Sequence, residues 1–196
     1  MPQTDFEVIS SIIKNRRSIA PEQMNGKIIS DEVVYELLEL ARWAPTHGMT
    51  EPLRFTVFSG NGKITFSFDH AEMYKTTTAV QDFVQNKYDK ILHRSDNASH
   101  VIAIGVKCGT KSNIPDIEEI ASVSCSVMNI WLAASAKGIA CYWGSGGMAY
   151  HSLMKNYLGL EEGDKVLGFL FLGYSNFKPA ISKRSPVEDK VKFVTA

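Results

Sequence analysis

The chain has 196 residues, 44% of them hydrophobic and 21% charged, which fits one globular domain over residues 1–196 with a real core. Lys plus Arg and Asp plus Glu each number 21, so the net charge is zero. That argues against a general nucleic-acid binder, which carries a basic excess, and leaves self-association unopposed by repulsion.

The first residues, Met1-Pro2-Gln3-Thr4-Asp5, show neither the basic nor the apolar region of a leader, and no apolar run approaches the roughly 20 residues a bilayer span needs. Cys108, Cys125 and Cys141 form no CxxC pair. Reduced thiols, a cytoplasmic location and no membrane partner are therefore expected.

Thr4 and Glu7 have capping-box spacing, and Phe6, Ile9, Ile12 and Ile13 fall on one face of the helix that follows. This helix delivers Arg16-Arg17-Ser18 at its C-terminal end, and residues 20–26 read as a loop. A second helix opens at Ser30, with Asp31 and Glu32 where the helix dipole favours anions, a stripe of Val34, Leu37, Leu38 and Ala41, and a stop at Pro45. Residues 54–58 alternate as a strand. The region 61–98 is poorly patterned; helical spacing runs from about 79 to 92, and the stretch before it stays unassigned, because Thr76-Thr77-Thr78 suits a helix interior badly.

Residues 100–106 read as a buried strand. Residues 115–137 give the longest helical signal, with Ile117, Ile120, Ala121, Ser124, Val127, Met128, Trp131 and Leu132 along one side and small residues elsewhere, so burial nearly all round is expected. Gly138 suits the position just past its end. A short strand (139–143), a short helix (150–157) and a continuous apolar run (166–172), hence a central strand, complete the pattern. The tail, 191–195, alternates like a strand that could add to a sheet edge of this chain or of a partner.

Four features could carry chemistry. Arg16, Arg17 and Ser18 put two guanidiniums and a hydroxyl within three residues, a cluster suited to phosphate oxygens; taken alone, it reads as a solvated helix end. The loop from Ala44 to Pro52, with His47, could present groups to a planar ligand or simply connect helix to strand. Gly144, Ser145, Gly146 and Gly147 follow a strand, and glycines let backbone N–H groups approach a ligand closely; the spacing is not that of a dinucleotide fingerprint. Lys183-Arg184 supplies a second cationic pair. The five histidines lack paired metal-ligand spacing, so no metal is expected.

Each feature is weak alone, but their order resembles the FMN-dependent nitroreductase family, in its small single-domain NAD(P)H oxidoreductase branch, over residues 6–190 or so. The resemblance implies an α+β homodimer with a central mixed β-sheet flanked by helices, a C-terminal segment exchanged with the partner, and shared FMN sites. Arg16, Arg17 and Ser18 would hold the FMN phosphate and ribityl chain, helped by Lys183 or Arg184. Trp43 and His47 fall where relatives contact FMN, from this subunit or its partner. Gly144, Ser145 and Gly146 would lie against the isoalloxazine, and residues 134–139 near the nicotinamide nucleotide. The implied activity passes electrons from NAD(P)H through flavin N5 to a small organic acceptor such as a nitroaromatic or quinone, by a ping-pong scheme needing no side-chain acid or nucleophile. Two departures stand out: Ala20 occupies a position often cationic, with Arg54 as a candidate substitute, and Glu51 replaces an amide near the flavin pyrimidine. They lend some weight to two alternatives, a flavin-binding storage or redox-sensing protein with little turnover, and a cofactor-free interaction domain.

Overall fold

The computed structural model describes residues 3–109, 111, 113–180 and 182–195; Met1 and Pro2, read above for a leader, lie outside them. Helix α1 (Asp5–Asn15) starts at the expected capping box: the Thr4 side chain accepts from the Glu7 N–H, and the Glu7 carboxylate accepts from the Thr4 N–H at 2.8 Å. Its apolar face is only partly covered: α1 touches α5 and Ile12 is half-buried, but Phe6, Ile9 and Ile13 are all exposed. Helix α2 (Asp31–Ala41) buries Val34, Leu37 and Ala41. Its first turn is tied to the sheet by Asp31, whose Oδ1 lies 2.9 Å from Nε2 of the buried His100.

Four strands form one sheet in the order β1-β2-β4-β3: β1 (Leu53–Ser59), β2 (His100–Val106), β3 (Ala140–Gly144) and β4 (Lys165–Gly173). All three pairings are antiparallel, and the parallel part of the expected mixed sheet is a single bridge from Ser18 to Cys141. β4 is central as expected. Its apolar run reflects cover on both faces rather than parallel pairing. On one face Ile102, Ile104, Leu170 and Leu172 pack against α2 and α5 (Asp116–Ala136). On the other, Val101, Ala103, Phe169 and Phe171 pack against Phe66 of α3 (Gly60–Thr77) and Met154 of α6 (Ser152–Tyr157).

Helix α3 fills the stretch left unassigned, and α4 (Gln85–Leu92) follows, shorter than the span expected. The inward residues of α3 are Lys63, Phe66, Ser67, His70, Ala71 and Tyr74. They have helical spacing, but three are polar, which hides the stripe from a hydrophobic count. Lys63 donates to the Ala98 carbonyl at 2.5 Å and Ser67 bonds Ser95 at 2.6 Å, so their inward placement costs no unpaired group.

Helix α5 is also turned from its expected orientation. The buried side is Glu119, Ser122, Val123, Ser126, Val127, Ile130, Trp131 and Ala134, while Ile117, Ala121 and Met128 face outward. Among the described helices it is the one long and apolar enough to cross a bilayer, but its inner face belongs to the chain's own core. Residues 191–195 join no strand of this sheet and are exposed.

Candidate functional site: the glycine turn and its cationic wall

The chain enters the site where α1 ends. The Arg16 guanidinium stacks 4.5 Å over the Trp131 ring of α5, a cation–π contact. Arg16 Nη1 and Trp131 Nε1 are both buried, and neither has a hydrogen-bond partner among the described residues. Buried donors are nearly always paired, so two orphans in one stack mark a place for an acceptor from outside the chain. Arg17 behaves differently: its Nη1 donates to the carbonyls of Lys14 (2.7 Å) and Arg16 (2.9 Å), closing the helix end. Ser18 is exposed and bridges Cys141 of β3, with the Ile19 N–H donating to the Cys141 carbonyl at 3.0 Å. Burial among apolar neighbours pushes the Cys141 thiol well up, and Arg16 only partly offsets this.

Three residues beyond Cys141 the strand runs into the glycine turn. Gly168 of β4 has φ +116°, and a Cβ there would lie 2.4 Å from the Gly144 carbonyl oxygen, so the turn and the central strand touch backbone to backbone. At Gly147 (φ +68°) a Cβ would fall 2.4 Å from His70 Nε2, whereas at Gly146 it would meet nothing within 4 Å. Gly146 is therefore the open side of the turn.

Beside the turn lies a cavity of about 390 Å³. Tyr142, Phe169 and Phe171 of the sheet form its floor, Phe66 and His70 of α3 one side, and Lys87, Lys90 and Arg94, from α4 and just past it, the other. The Arg94 guanidinium stands 5.1 Å over the Tyr142 ring and 5.7 Å over Phe171, with a loose ion pair to Glu22 at 3.6 Å. His70 accepts the Met148 N–H at 2.8 Å. Burial, reinforced by the charge of Arg94, lowers its pKa to about 4, so the imidazole is neutral at pH 7.

That neutral imidazole gives a pH dependence. The unfolded chain protonates His70 below about pH 6.5 and the folded chain resists until about pH 4, so its contribution is complete above pH 6.5 and is lost as the pH falls through that window. The loss by pH 4 is about 3 kcal/mol. Urea midpoints at pH 7 and pH 4.5 should diverge strongly in the native sequence and much less in His70→Gln; equal slopes for both would rule His70 out as the cause.

The other site residues expected from the sequence lie elsewhere. Trp43 is 79% exposed just past α2. His47 is exposed and pairs with Glu118 of α5. Its loop holds Gly48, Met49 and Glu51 at positive φ and is pinned by Thr50 donating to Glu119 at 2.8 Å. Lys183 and Arg184 are exposed in the C-terminal segment, where Arg184 bonds Ser182 and the Lys183 carbonyl. None of these four lines the cavity. Arg54, the candidate substitute for the cation missing at Ala20, is spent on the carbonyls of Glu51 and Leu53. The cation at the cavity is Arg94, which the sequence reading passed over. Its signal is the spacing Lys87, Lys90, Arg94, three and four residues apart, which continues one face of α4 just past its end at Leu92.

A family model described as the nitroreductase family matches residues 13–174. The chain belongs to the nitroreductase family. The matched span holds Arg16 to Ser18, the His47 loop, the cavity and the glycine turn, and stops before Lys183. A curated relative from Bacillus subtilis, named "Putative NAD(P)H nitroreductase YfhC", is 27% identical over 97% of this chain and 98% of its own length. The crystal structure of a nitroreductase-like family protein from Bacillus cereus superposes with a TM-score of 0.84 at 25% identity, covering 99% of this chain and 98% of that one. A nitroreductase solved in complex with FMN, from Desulfovibrio desulfuricans, superposes with a TM-score of 0.71 at 19% identity, covering 99% of both chains. This nitroreductase-family fold thus brings the arginine cluster to β3 and the glycine turn to a cationic cavity, while the exposed Trp43 and His47 sit on a different side loop.

Proposed function

We propose that the chain, as one domain over residues 1–196, is an FMN-dependent oxidoreductase that passes electrons from NAD(P)H to a small organic acceptor, a nitroaromatic or a quinone. The observation that carries this reading is the pair of buried donors without partners, Arg16 Nη1 and Trp131 Nε1. An acceptor-rich ligand such as the phosphate and ribityl oxygens of FMN satisfies both. Ser18 adds a hydroxyl, and the open backbone at Gly146, flanked by Gly144 and Ser145, lets a flat ring approach. The residues present fit FMN.

Held by Arg16, Ser18 and the glycine turn, FMN would supply two-electron redox chemistry between NAD(P)H and the acceptor, in the ping-pong scheme proposed here. The chain's part is to bind and orient. Arg94 places a fixed positive charge beside the turn, where a cation favours charge developing on a reduced ring. His70 is uncharged at pH 7 and holds the Met148 N–H, fixing the far side of the turn. Arg94 also weakens the storage alternative in so far as it rests on the cation missing at Ala20, while Glu51, its other ground, is untouched.

Trp43, His47, Lys183 and Arg184 fit this reading through a homodimer in which they reach the partner's cofactor. Support comes from the apolar side chains left exposed on three helices: Phe6, Ile9 and Ile13 on α1, Leu40 and Trp43 at the end of α2, and Ile117 and Met128 on α5. Apolar surface of this kind on one chain is characteristic of an interface. The cytoplasm is the matching compartment for a protein using NAD(P)H and free thiols.

One experiment tests the reading. Purified protein is incubated with FMN, passed over a sizing column and scanned in the visible, then assayed for NADPH oxidation with a quinone. Flavin bands at one FMN per chain, co-eluting at the mass of a dimer and followed by quinone-dependent turnover, are expected. Bound flavin without turnover would favour storage; a colourless protein would overturn the assignment.

A further inference from the structure

We propose that Lys87, Lys90 and Arg94 make the cavity beside the glycine turn selective for an anionic aromatic acceptor, a flat ring bearing a carboxylate or sulfonate. This rests on the oxidoreductase reading above for its chemistry, but not for its binding argument. The chain as a whole has no net charge, yet three cations line this one cavity and, among the described residues, no Asp or Glu lines it. The acidic neighbours are turned away: Asp89 of α4 takes the Gln85 amide at 2.7 Å, and Glu22 reaches only the Arg94 guanidinium, at 3.6 Å. His70, neutral at pH 7, adds no charge of either sign, so the field in the cavity is positive, with Arg94 partly offset by Glu22 and the Lys87 ammonium resting 4.3 Å over the Tyr74 ring at the cavity's edge.

The rest of the wall selects for a flat ring. Tyr142 and Phe171 lie under Arg94, Phe66 and Phe169 meet edge to face with centroids 5.1 Å apart, and the turn opposite carries no side chain but that of Ser145. A ring can lie between these faces with its anionic group toward the α4 face. Lys87 and Lys90 are exposed, as lysines on a solvated helix face would be. What separates them from such a face is their place in the cavity wall with half-buried Arg94, where neither is ion-paired among the described residues and Lys87 makes only a cation–π contact with Tyr74.

The test compares two acceptors of equal shape, 4-nitrobenzoate and its neutral amide 4-nitrobenzamide, in the FMN-loaded native protein and in Lys87→Gln/Lys90→Gln. The native protein should prefer the carboxylate, and the ratio of kcat/KM values should fall about tenfold in the variant, chiefly through KM. Benzoate, which cannot be reduced, gives a second readout: its affinity, measured by calorimetry with or without flavin, should fall by a similar factor. If FMN fails to bind at all, the oxidoreductase reading is lost while benzoate binding still decides this one. An unchanged acceptor ratio and unchanged benzoate affinity overturn the proposal. That holds even if the variant shifts the preference between NADPH and NADH or loosens FMN, since the lysines would then serve the donor or the cofactor.

Discussion

Arg16→Ala should weaken FMN binding by about 1.5–3 kcal/mol, the range for a hydrogen bond to a charged group, or roughly 10- to 150-fold in Kd. The variant should remain folded. It loses a cation–π contact with Trp131, worth about 0.5–2 kcal/mol, but it also removes a buried donor without a partner, and the two terms oppose each other. Arg17→Ala should cost much less affinity, because the Arg17 guanidinium is already engaged with the end of α1. Titration of the apo variants with FMN, followed by quenching of flavin fluorescence, measures both. Equal affinities in native protein and Arg16→Ala would move the phosphate to another cation and remove the main support for the site.

Gly168→Ala should be the most destabilising single methyl addition near the site. The residue has φ +116°, a conformation L side chains rarely adopt, and the new Cβ would sit 2.4 Å from the Gly144 carbonyl oxygen and 3.1 Å from Ser145 Cα. These are backbone atoms, so no rotamer change relieves the clash. It falls on a central strand beside an irregular register, where β2 skips from the Ile104–Gly168 pair to Gly105–Val166. A loss of about 3–5 kcal/mol is expected, a large share of the roughly 5–15 kcal/mol that stabilises a typical domain. Gly146→Ala is the informative contrast: its Cβ meets nothing in the chain, so stability should barely change while FMN affinity falls if a ring rests there. Urea unfolding reads the first and flavin titration the second. A loss below about 1 kcal/mol in Gly168→Ala would mean that the turn moves off β4 freely.

The elements that announced themselves in the sequence are those whose burial matches their hydrophobicity. β2 and β4 are apolar on both faces because both faces are covered, and the Thr4–Glu7 cap is purely local. Reading failed where polar residues point inward. Besides its threonine-rich end, α3 is illegible because Lys63, Ser67 and His70 share its inner face, each satisfied by a partner distant in sequence or across the fold. α5 was rotated because Glu119, Ser122 and Ser126 face the core while Ile117 and Met128 face out. At the site, the glycine turn was legible, since only glycine permits such close approach. Arg94 was not: its place beside the turn comes from the packing of α4 on the sheet, some 50 residues from that turn in sequence. The split between Arg16 and Arg17 was likewise invisible, since two adjacent arginines differ only in which way the chain turns after α1.

The sheet keeps two tasks apart. The core packed with α2 and α5 contains no residue from 60–98, whereas that segment supplies more than a third of the cavity wall. Sequence change within 60–98 can therefore redraw what the cavity admits while the larger core goes untouched. A mutational library confined to the exposed cavity-facing positions of that segment, with Phe66, Ala71, Tyr74 and Ile91 kept, should yield mostly folded proteins with altered acceptor profiles. In evolutionary terms, it is the part of the chain where descendants of one ancestor would diverge in diet before they diverged in architecture.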